Sequence, residues 1–350
     1  MQLTTSASGR TVALSQYGAF MNALDYIWEI TAEERAMTSN NELHIIFGTG
    51  PLGLAVMREL VSKGKQLRMV NRSGSARVPE DIEVVKGDAS NPDSTTEVCK
   101  GASVVYNCTN PPYNKWPELF PPLQVGIIEG AASAEAKLVS AENVYMYGKV
   151  DQSMTEDLPY AATTRKGGTR ARMAQDLMKA HKEGKVRATI GRASNFFGPH
   201  VFLSTAGERV FYPALDGKAA QVLGNIDAPH TYTFIDDFGK GLVTLGEQDE
   251  ALGKAWHIPN ADTLTTREFV NLVFEEAGHS PNIEAVPGGV IRELAKTDPM
   301  MYELEEMLYE FEEPFIIDHS KYEKAFGANP TPHKEAINKT LEWYRQNPKS

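Results

Sequence analysis

The chain has 350 residues, of which 41% are hydrophobic, so it can bury a sizeable core and is not a disordered protein. Its 35 basic and 46 acidic residues give a formal net charge of −11, which repels phosphate backbones and anionic membranes. Two cysteines exclude a disulfide framework, and no Cys/His cluster has metal-ligand spacing. We therefore expect a cytoplasmic protein with a small-molecule substrate, no metal, and no nucleic-acid or membrane partner.

Residues 1–41 are predicted to be an N-terminal extension ahead of the first domain. Apolar side chains recur at helical spacing within 15–30, but Asp25 and Glu29 interrupt them, which argues against a membrane span or a secretory signal. The favoured interpretation is a peripheral helix or a poorly ordered extension. The alternative is an arm that packs on a second copy of the chain in a homodimer.

A strand, a glycine turn, an amphipathic helix and a second strand follow within residues 42–74. The turn has the spacing Gly-x-Gly-x-x-Gly and comes directly after an apolar run. Glycines let the backbone approach a pyrophosphate, and the helix N-terminus supplies free N–H groups and the positive end of its dipole. The alternative is merely a tight strand-to-helix turn. In this context the motif predicts dinucleotide binding by Gly48, Thr49, Gly50, Pro51, Leu52 and Gly53.

The end of the second strand predicts which dinucleotide binds. Asn71, Arg72 and Ser73 stand where an NAD-preferring site places a carboxylate for the ribose 2′-hydroxyl. A guanidinium and a hydroxyl can bind a 2′-phosphate, whereas a carboxylate would repel it. We therefore expect NADP(H) to bind in preference to NAD(H). The alternative is a solvated arginine at a strand end.

Two further apolar strands, within 82–90 and 102–112, end in polar residues. A carboxylate at the end of the first can accept a hydrogen bond from the adenine amino group, and the end of the second should lie beside the ribose and pyrophosphate. Ligand residues at the carboxyl ends of alternating strands predict a Rossmann-type α/β fold with a doubly wound parallel sheet. The residues expected to contact the cofactor here are Asp88, Ala89, Cys108 and Thr109.

Four segments carry motifs that belong together: GTGPLG at 48–53, IGRASNFFGP at 190–199, HTYTFIDDFGKGLVTL at 230–245 and FGANPTPHKEAINKTLEWYR at 326–345. They resemble the extended short-chain dehydrogenase/reductase superfamily, in atypical forms of its NAD(P)-dependent epimerase/dehydratase branch. The second resembles the R-x-x-N-x-x-G-P signature of that family, and the third its V-x-D-x-A strand and helix. The resemblance implies a Rossmann core over 42–198 and a smaller C-terminal substrate-binding lobe over 199–350, with 230–260 returning to the core.

The resemblance also implies a catalytic tyrosine four residues before a lysine that lowers its pKa and holds the nicotinamide ribose. Lys166 matches the lysine, but Ala162 stands at the tyrosine position. The serine or threonine position falls on Asn143, whose amide can donate to a carbonyl or an oxyanion. The phenols that can replace the missing tyrosine are Tyr145, Tyr147 and Tyr113.

The remaining site residues come from the second half of the chain. Ala193 and Ser194 are expected to contact the cofactor, and Asn195, His230 and Tyr113 the substrate. For His230 the alternative is a hydrogen-bonded structural histidine. The acidic segment 301–315 is predicted to be an amphipathic helix with a solvated acidic face, not a paired-carboxylate site.

The leading functional hypothesis is an NADP(H)-dependent oxidoreductase or epimerase/dehydratase-like enzyme that acts on a small carbonyl or hydroxyl compound. Two alternatives stay open. One is a catalytically silent NADP-binding regulator, which the missing tyrosine favours. The other is an isomerase or cyclase that uses the same fold without net redox chemistry.

Overall fold

The computed structural model describes residues 42–349, in which strands and helices alternate. The strands are β1 (Leu43–Phe47), β2 (Gln66–Asn71), β3 (Glu83–Lys86), β4 (Ala102–Asn107), β5 (Lys137–Glu142), β6 (Arg187–Arg192), β7 (Asn195–Phe197), β8 (Ala220–Leu223), β9 (Pro229–His230), β10 (Tyr232–Phe234), β11 (Ala255–His257), β12 (Leu264–Thr265) and β13 (Ile283–Val286). The helices are α1 (Pro51–Ser62), α2 (Pro92–Val98), α3 (Trp116–Ser133), α4 (Arg165–Lys182), α5 (Glu208–Asp216), α6 (Ile235–Glu247), α7 (Thr266–Ala277), α8 (Gly288–Ala295), α9 (Pro299–Glu305), α10 (Tyr309–Glu312), α11 (Ser320–Phe326) and α12 (His333–Gln346). Short 3-10 turns lie at Tyr113–Lys115, Tyr145–Tyr147 and Asp249–Ala251.

A parallel sheet with the strand order β11-β6-β5-β4-β1-β2-β3 forms the centre of the described residues. β1 lies inside this sheet, and from it the chain runs to one edge through β2 and β3 and then crosses to β4 on the other side of β1. This order confirms the predicted Rossmann-type, doubly wound α/β fold. The strand order reverses between β1 and β4, and in such sheets the ligand crevice lies at the carboxyl ends of the strands at that point.

Helices cover both faces of the sheet because its central strands are apolar on both sides. Ile45 and Ile46 are neighbours on β1 and point into different layers. Ile46 packs with Leu60 of α1 and Leu242 of α6, whereas Ile45 packs with Leu177 of α4. Because all strand pairs of this sheet are parallel, the carboxyl ends of its strands lie at one edge.

Residues that follow β6 in sequence form a second apolar cluster, which joins α5, α7 and α12 with β7, β8 and β10. Its large buried members include Phe197, Phe211, Phe269, Ile337 and Tyr344. Residues 235–257 form α6 and β11, which belong to the central sheet and its covering layer. The domain division at residue 198 stays a prediction, and the predicted extension 1–41 lies outside the described residues. Within 42–349, no helix has both the length and the apolar character needed to cross a membrane.

Candidate active site

The glycine turn between β1 and α1 has two positions at which neighbouring backbone atoms leave no room for a Cβ. Gly48 has a φ of +107°, and a Cβ there would lie 2.7 Å from the Cys108 carbonyl oxygen. A Cβ on Gly53 would lie 2.0 Å from the Gly48 carbonyl oxygen. Gly50 differs, because a Cβ there would meet no atom of residues 42–349 within 4 Å. Gly50 is the N-cap of α1, and no side chain among the described residues caps this helix, so the turn suits an anion that needs close backbone approach.

Asn71 at the end of β2 ties the glycine turn to the loop that follows it. Its Nδ2 donates to Thr49 Oγ1 at 3.0 Å and to the Ser75 carbonyl at 2.7 Å. Its Oδ1 accepts from the backbone N–H groups of Ser73 at 3.0 Å and Gly74 at 2.7 Å. The Asn71 amide therefore shapes the loop, and the exposed Arg72 is left as the charge presented beside it.

The loop after β3 adds a carboxylate close to that arginine. Asp88 is exposed, and its Oδ1 accepts from the Ser90 hydroxyl at 2.7 Å and the Ser90 N–H at 2.9 Å. These two bonds, with a smaller contribution from the charge of Arg72, lower the pKa of Asp88. The predicted adenosine end of the site therefore contains an ionised acceptor beside a cation, and Ala89 next to it is buried.

The end of β4 closes the phosphate region from the other side. Asn107 is buried, and its Oδ1 accepts from the Thr109 hydroxyl at 2.7 Å and the Thr109 N–H at 3.2 Å. The Cys108 carbonyl lies against Gly48, and the Cys108 thiol belongs to the apolar cluster of Ile46, where burial raises the thiol pKa and so disfavours the thiolate. Asn107 was missed from the sequence, although a polar residue ending an apolar strand is the signal that singles it out.

Lys166 lies in the first turn of α4, which Thr164 caps by accepting from the Gly167 N–H at 3.1 Å. The lysine is buried, with 1% of its surface exposed. Its Nζ contacts Glu306 Oε1 at 2.5 Å, the Glu303 carbonyl at 3.1 Å and the Glu303 carboxylate. The same ammonium lies 4.3 Å from the ring centre of Tyr113. The lysine is thus enclosed by two carboxylates and an aromatic face.

Those carboxylates overturn the prediction of a solvated acidic face over 301–315. The segment forms α9 and α10 as separate short helices, and Glu303 and Glu310 are both buried. The Glu306 side chain is only 15% exposed. The ion pairs to Lys166 and from Arg165 to Glu303 offset the loss of hydration of these charges. Helical spacing alone does not show that a lysine far away in sequence will pack against the charged face of a helix.

Ala162 is a packing position in this fold. Its N–H donates to the Met146 carbonyl at 3.2 Å, and its Cα lies 3.0 Å from the position that a Cβ on Gly148 would take. A Cβ on Gly167 would lie 2.5 Å from the Ala162 Cβ. The chain therefore runs close to the start of α4 at this point, and the family's phenol is absent from it.

Tyr145 and Tyr113 lie together near Lys166. The Trp116 ring stacks on Tyr145 with ring centres 5.9 Å apart and meets the Tyr113 ring edge-on at 5.0 Å. The two hydroxyls interact, and burial raises the pKa of both phenols. Asn143 Oδ1 accepts from the Tyr145 N–H at 3.2 Å, so this asparagine shapes the turn that presents the phenol.

Asn195 and His230 reach the same place from β7 and β9. Asn195 Nδ2 lies 3.2 Å from both His230 Nε2 and Glu310 Oε2. His230 Nδ1 donates to the Glu310 carbonyl at 3.1 Å, and burial lowers the pKa of its imidazole to about 4. Glu310 is a member of this cluster that sequence reasoning missed, because its position in an acidic segment suggested solvent exposure.

Tyr147 belongs to a different buried network. Its oxygen accepts from Arg192 Nη1 at 2.7 Å, and its hydroxyl donates to His257 Nε2 at 2.9 Å. Arg192 Nε in turn donates to Glu142 Oε2 at 3.2 Å, with both side chains fully buried. The only proton of the Tyr147 phenol is therefore committed to a histidine whose Nδ1 is held by the Asp318 carbonyl.

The last two predicted cofactor contacts follow β6. Ala193 and Ser194 are both buried. The Ser194 N–H donates to Thr233 Oγ1 at 3.1 Å, and its hydroxyl has no hydrogen-bond partner among residues 42–349. A cavity of about 390 Å³ opens beside the start of α4, lined by Thr163, Thr164, Arg165, Tyr302, Glu305 and Glu306.

The chain resembles several proteins of known activity. It is 25% identical over 198 residues to dTDP-glucose 4,6-dehydratase from Escherichia coli, covering 56% of this chain and 51% of that enzyme. It is 24% identical over 144 residues to the enzyme of the same name from Streptomyces griseus, covering 41% and 44%. The chain thus spans about half the length of the curated relatives it matches.

A solved structure shows the same fold over most of both chains. The structure of dTDP-glucose 4,6-dehydratase from Bacillus anthracis in complex with NAD superposes with a TM-score of 0.72 at 16% identity, covering 87% of this chain and 97% of that one. The model of the NAD dependent epimerase/dehydratase family matches residues 45–258, more than half of the chain. That family name supports a nicotinamide dinucleotide as the cofactor. The chain belongs to the NAD dependent epimerase/dehydratase family, within the extended short-chain dehydrogenases/reductases.

Proposed function

We propose that this protein is an NADP(H)-dependent oxidoreductase or epimerase/dehydratase-like enzyme that acts on a small hydroxyl or carbonyl compound. The observation that carries the proposal is one sheet edge that holds both an open glycine turn at Gly50 and a buried lysine with two phenols. The turn suits a pyrophosphate, and the phenols suit proton exchange with a substrate oxygen. The names of the dehydratase relatives support a sugar-like substrate.

The residues described fit a dinucleotide at its phosphate and adenosine end. Gly48 and Gly53 shape the turn, Gly50 leaves the space open, and Arg72 is exposed beside it without a carboxylate at the end of β2. A bound nicotinamide ring would exchange a hydride with the reacting carbon of the substrate. Lys166 would face the nicotinamide ribose, with its charge already shared by Glu303 and Glu306.

The preference for NADP(H) is tested by measuring the dissociation constants of NADPH and NADH. The unaltered protein should bind NADPH at least about tenfold more tightly, because a charge-assisted bond to a 2′-phosphate is worth more than about 1.4 kcal/mol. Arg72→Asp should reverse the order. Arg77→Asp is the control, since it makes the same charge change at another exposed position of the same loop. Equal affinities in the unaltered protein would contradict the preference.

Tyr145 and Tyr113 are the proposed proton carriers, ahead of Tyr147. Their hydroxyls lie together near Lys166, whereas the Tyr147 hydroxyl is held between Arg192 and His257. Turnover is tested with a panel of carbonyl compounds and sugar nucleotides, by following NADPH absorbance and by product analysis for reactions without net redox change. An activity that survives in the double variant Tyr113→Phe/Tyr145→Phe would exclude both phenols.

The second candidate function is a catalytically silent NADP-binding regulator. Two observations favour it: Ala162 carries no phenol, and the ammonium of Lys166 is already paired with Glu303 and Glu306. A protein that binds NADPH tightly and changes none of the panel compounds would support this candidate. Any substrate-dependent change of absorbance or product would reject it.

A further inference from the structure

We propose that Glu310 is a proton store for Tyr145, taking up and returning the proton that this phenol exchanges with the substrate. The inference rests on the proposed function, since it requires a substrate hydroxyl or carbonyl at the phenol. Glu310 would be a positioning residue rather than one that touches the reacting atoms. Ala162 has no proton to exchange, and Glu310 would instead exchange protons with the substrate through Tyr145.

Glu310 has the burial and the unfilled bonding capacity that this role needs. It has 0% of its surface exposed, and its Oε2 accepts from Asn195 Nδ2 at 3.2 Å. Its Oε1 has no hydrogen-bond partner among the described residues, and neither has the hydroxyl of Tyr309 next to it. Buried polar atoms without partners are costly and uncommon, so they mark a place where a transferred proton or an incoming group completes the bonding.

Glu310 is also connected to the lysine through the phenols. The Tyr145 hydroxyl interacts with the Glu310 carboxylate and with the Tyr113 hydroxyl. The Lys166 ammonium lies 4.3 Å from the centre of the Tyr113 ring. The buried carboxyl thus lies next to two hydroxyls, one of which belongs to the ring that the Lys166 ammonium contacts.

Among residues 42–349, Glu310 has no positive partner. Tyr113 faces it from the turn after β4, Tyr145 from the turn after β5, His230 from β9 and Tyr309 from its own helix. Burial keeps His230 neutral, and Lys166 is paired with other carboxylates. Burial therefore raises the pKa of Glu310 to about 8, although the bonds from Asn195 and Tyr145 oppose the shift. A carboxyl of this kind can gain and lose a proton near neutral pH.

The proposed step balances protons and electrons. In the oxidation direction the O–H bond of the substrate breaks, its proton goes to the Tyr145 oxygen, and the proton of Tyr145 goes to the Glu310 carboxylate. A bound oxidised nicotinamide would accept the two electrons and the hydrogen of the C–H bond as a hydride, so that the C–OH group of the substrate would become a carbonyl. On reduction of a carbonyl, Glu310 returns the proton by the same path.

The experiment compares Glu310→Gln, Glu310→Asp and a control, Glu313→Gln, which removes a carboxylate that pairs with Lys149 at the surface. Glutamine keeps the shape and the Asn195 contact but cannot take up a proton. The first readout is infrared spectroscopy of the protein without cofactor. A protonated carboxyl band that titrates near pH 8 should be present in the unaltered protein and the control and absent from Glu310→Gln.

The second readout is the pH profile of kcat together with NADPH affinity. Glu310→Gln should lower kcat about 100-fold and lose the break near pH 8, with the NADPH dissociation constant unchanged, while Glu310→Asp restores a break. A Glu310→Gln enzyme with the unaltered kcat and pH profile, or one that keeps the infrared titration, would overturn the inference and leave the proposed function standing. An unaltered protein that binds NADPH but turns over no substrate would overturn both.

Discussion

The phosphate end and the lysine end of the candidate site are built in different ways. At the phosphate end the shaping contacts join near neighbours in sequence, such as Asn71 and Thr49, which are 22 positions apart. Thr49 and Asn71 there are half-buried, Arg72 is exposed, and a Cβ on Gly50 would meet no atom of residues 42–349 within 4 Å. At the lysine end, Lys166 meets carboxylates 137 and 140 positions away and is enclosed. The first region is ready for an anion, whereas the second is already occupied by the charges of the protein itself.

The two ends therefore depend on different interactions: anion binding at the phosphate end, and charge compensation around a buried lysine at the other. A helix N-terminus and a glycine turn attract a pyrophosphate without help from the rest of the chain. A buried ammonium needs counter-charges, and in this fold they come from α9 and the turn that follows it. The lysine that the family uses to face a ribose therefore also contributes to holding the acidic segment in place.

The largest expected effect comes from a substitution that destabilises the glycine turn at the phosphate end. Gly53→Ala places a Cβ 2.0 Å from the Gly48 carbonyl oxygen, so α1 must move, and we expect a loss of about 3 kcal/mol in the free energy of unfolding together with dinucleotide binding. Gly50→Ala is the matched variant, since its Cβ meets nothing, and it should keep its stability while NADPH affinity falls. Denaturant unfolding and binding titrations measure both. Equal stability of the two variants would contradict the geometry.

Lys166→Met tests whether the lysine end is held by its ion pairs. The change removes the buried cation from Glu303 and Glu306, which keep only the half-exposed Arg165 as a cationic partner among the described residues. The free energy of unfolding should fall by roughly 2 to 3 kcal/mol, less than for fully buried pairs because Arg165 remains and both carboxylates keep slight exposure. Adding Glu303→Gln and Glu306→Gln should restore most of the stability but not NADPH affinity. Lys149→Met, which breaks only the exposed pair with Glu313, is the control and should cost less than about 1 kcal/mol.

The pH dependence of stability should distinguish the lysine end from the phosphate end. Because the pKa of Glu310 is raised from 4.5 to about 8, the folded protein keeps a proton that the unfolded chain has released between these values. Its contribution to stability is therefore full below the unfolded pKa and is lost as the pH rises, by about 1.4 kcal/mol per pH unit within that window. From about pH 5 to about pH 8, the free energy of unfolding of the unaltered protein should fall with this slope relative to that of Glu310→Gln, because buried histidines such as His230, whose pKa is lowered to about 4, titrate in both proteins. Parallel curves would contradict it.

The smallest expected effect on stability separates the two tyrosines of the turn after β5. Tyr147→Phe removes a hydrogen-bond partner from Arg192 and from His257 and should cost about 1 kcal/mol, with turnover retained. Tyr145→Phe should change stability less and lose most of the turnover, with NADPH affinity intact. Thermal unfolding and initial rates measured on both variants test this split. The opposite pattern would place the reacting phenol in the network around Arg192.

Much of the fold and of the phosphate end could be predicted because its signals are local. Apolar runs that are buried on both faces, a glycine spacing and polar strand ends lie within short windows, and the sheet brings those ends to one edge. The contacts that Asn71 and Cys108 make within the protein were harder to predict. The cofactor contacts of both positions stay predictions; among the described residues the Asn71 amide supports a loop, and the Cys108 carbonyl lies against Gly48.

The sequence by itself determined the doubly wound sheet, the glycine turn and the lysine at the start of α4, because each depends on residue types at fixed spacing. Only the tertiary structure decided that the acidic segment turns Glu303 and Glu310 inward and that Tyr145 and Tyr147 enter separate networks. Helical periodicity defines a face but does not show what covers it. A buried charge is compensated by whichever opposite charge the fold brings near, and for Lys166 that partner lies more than a hundred residues away in sequence.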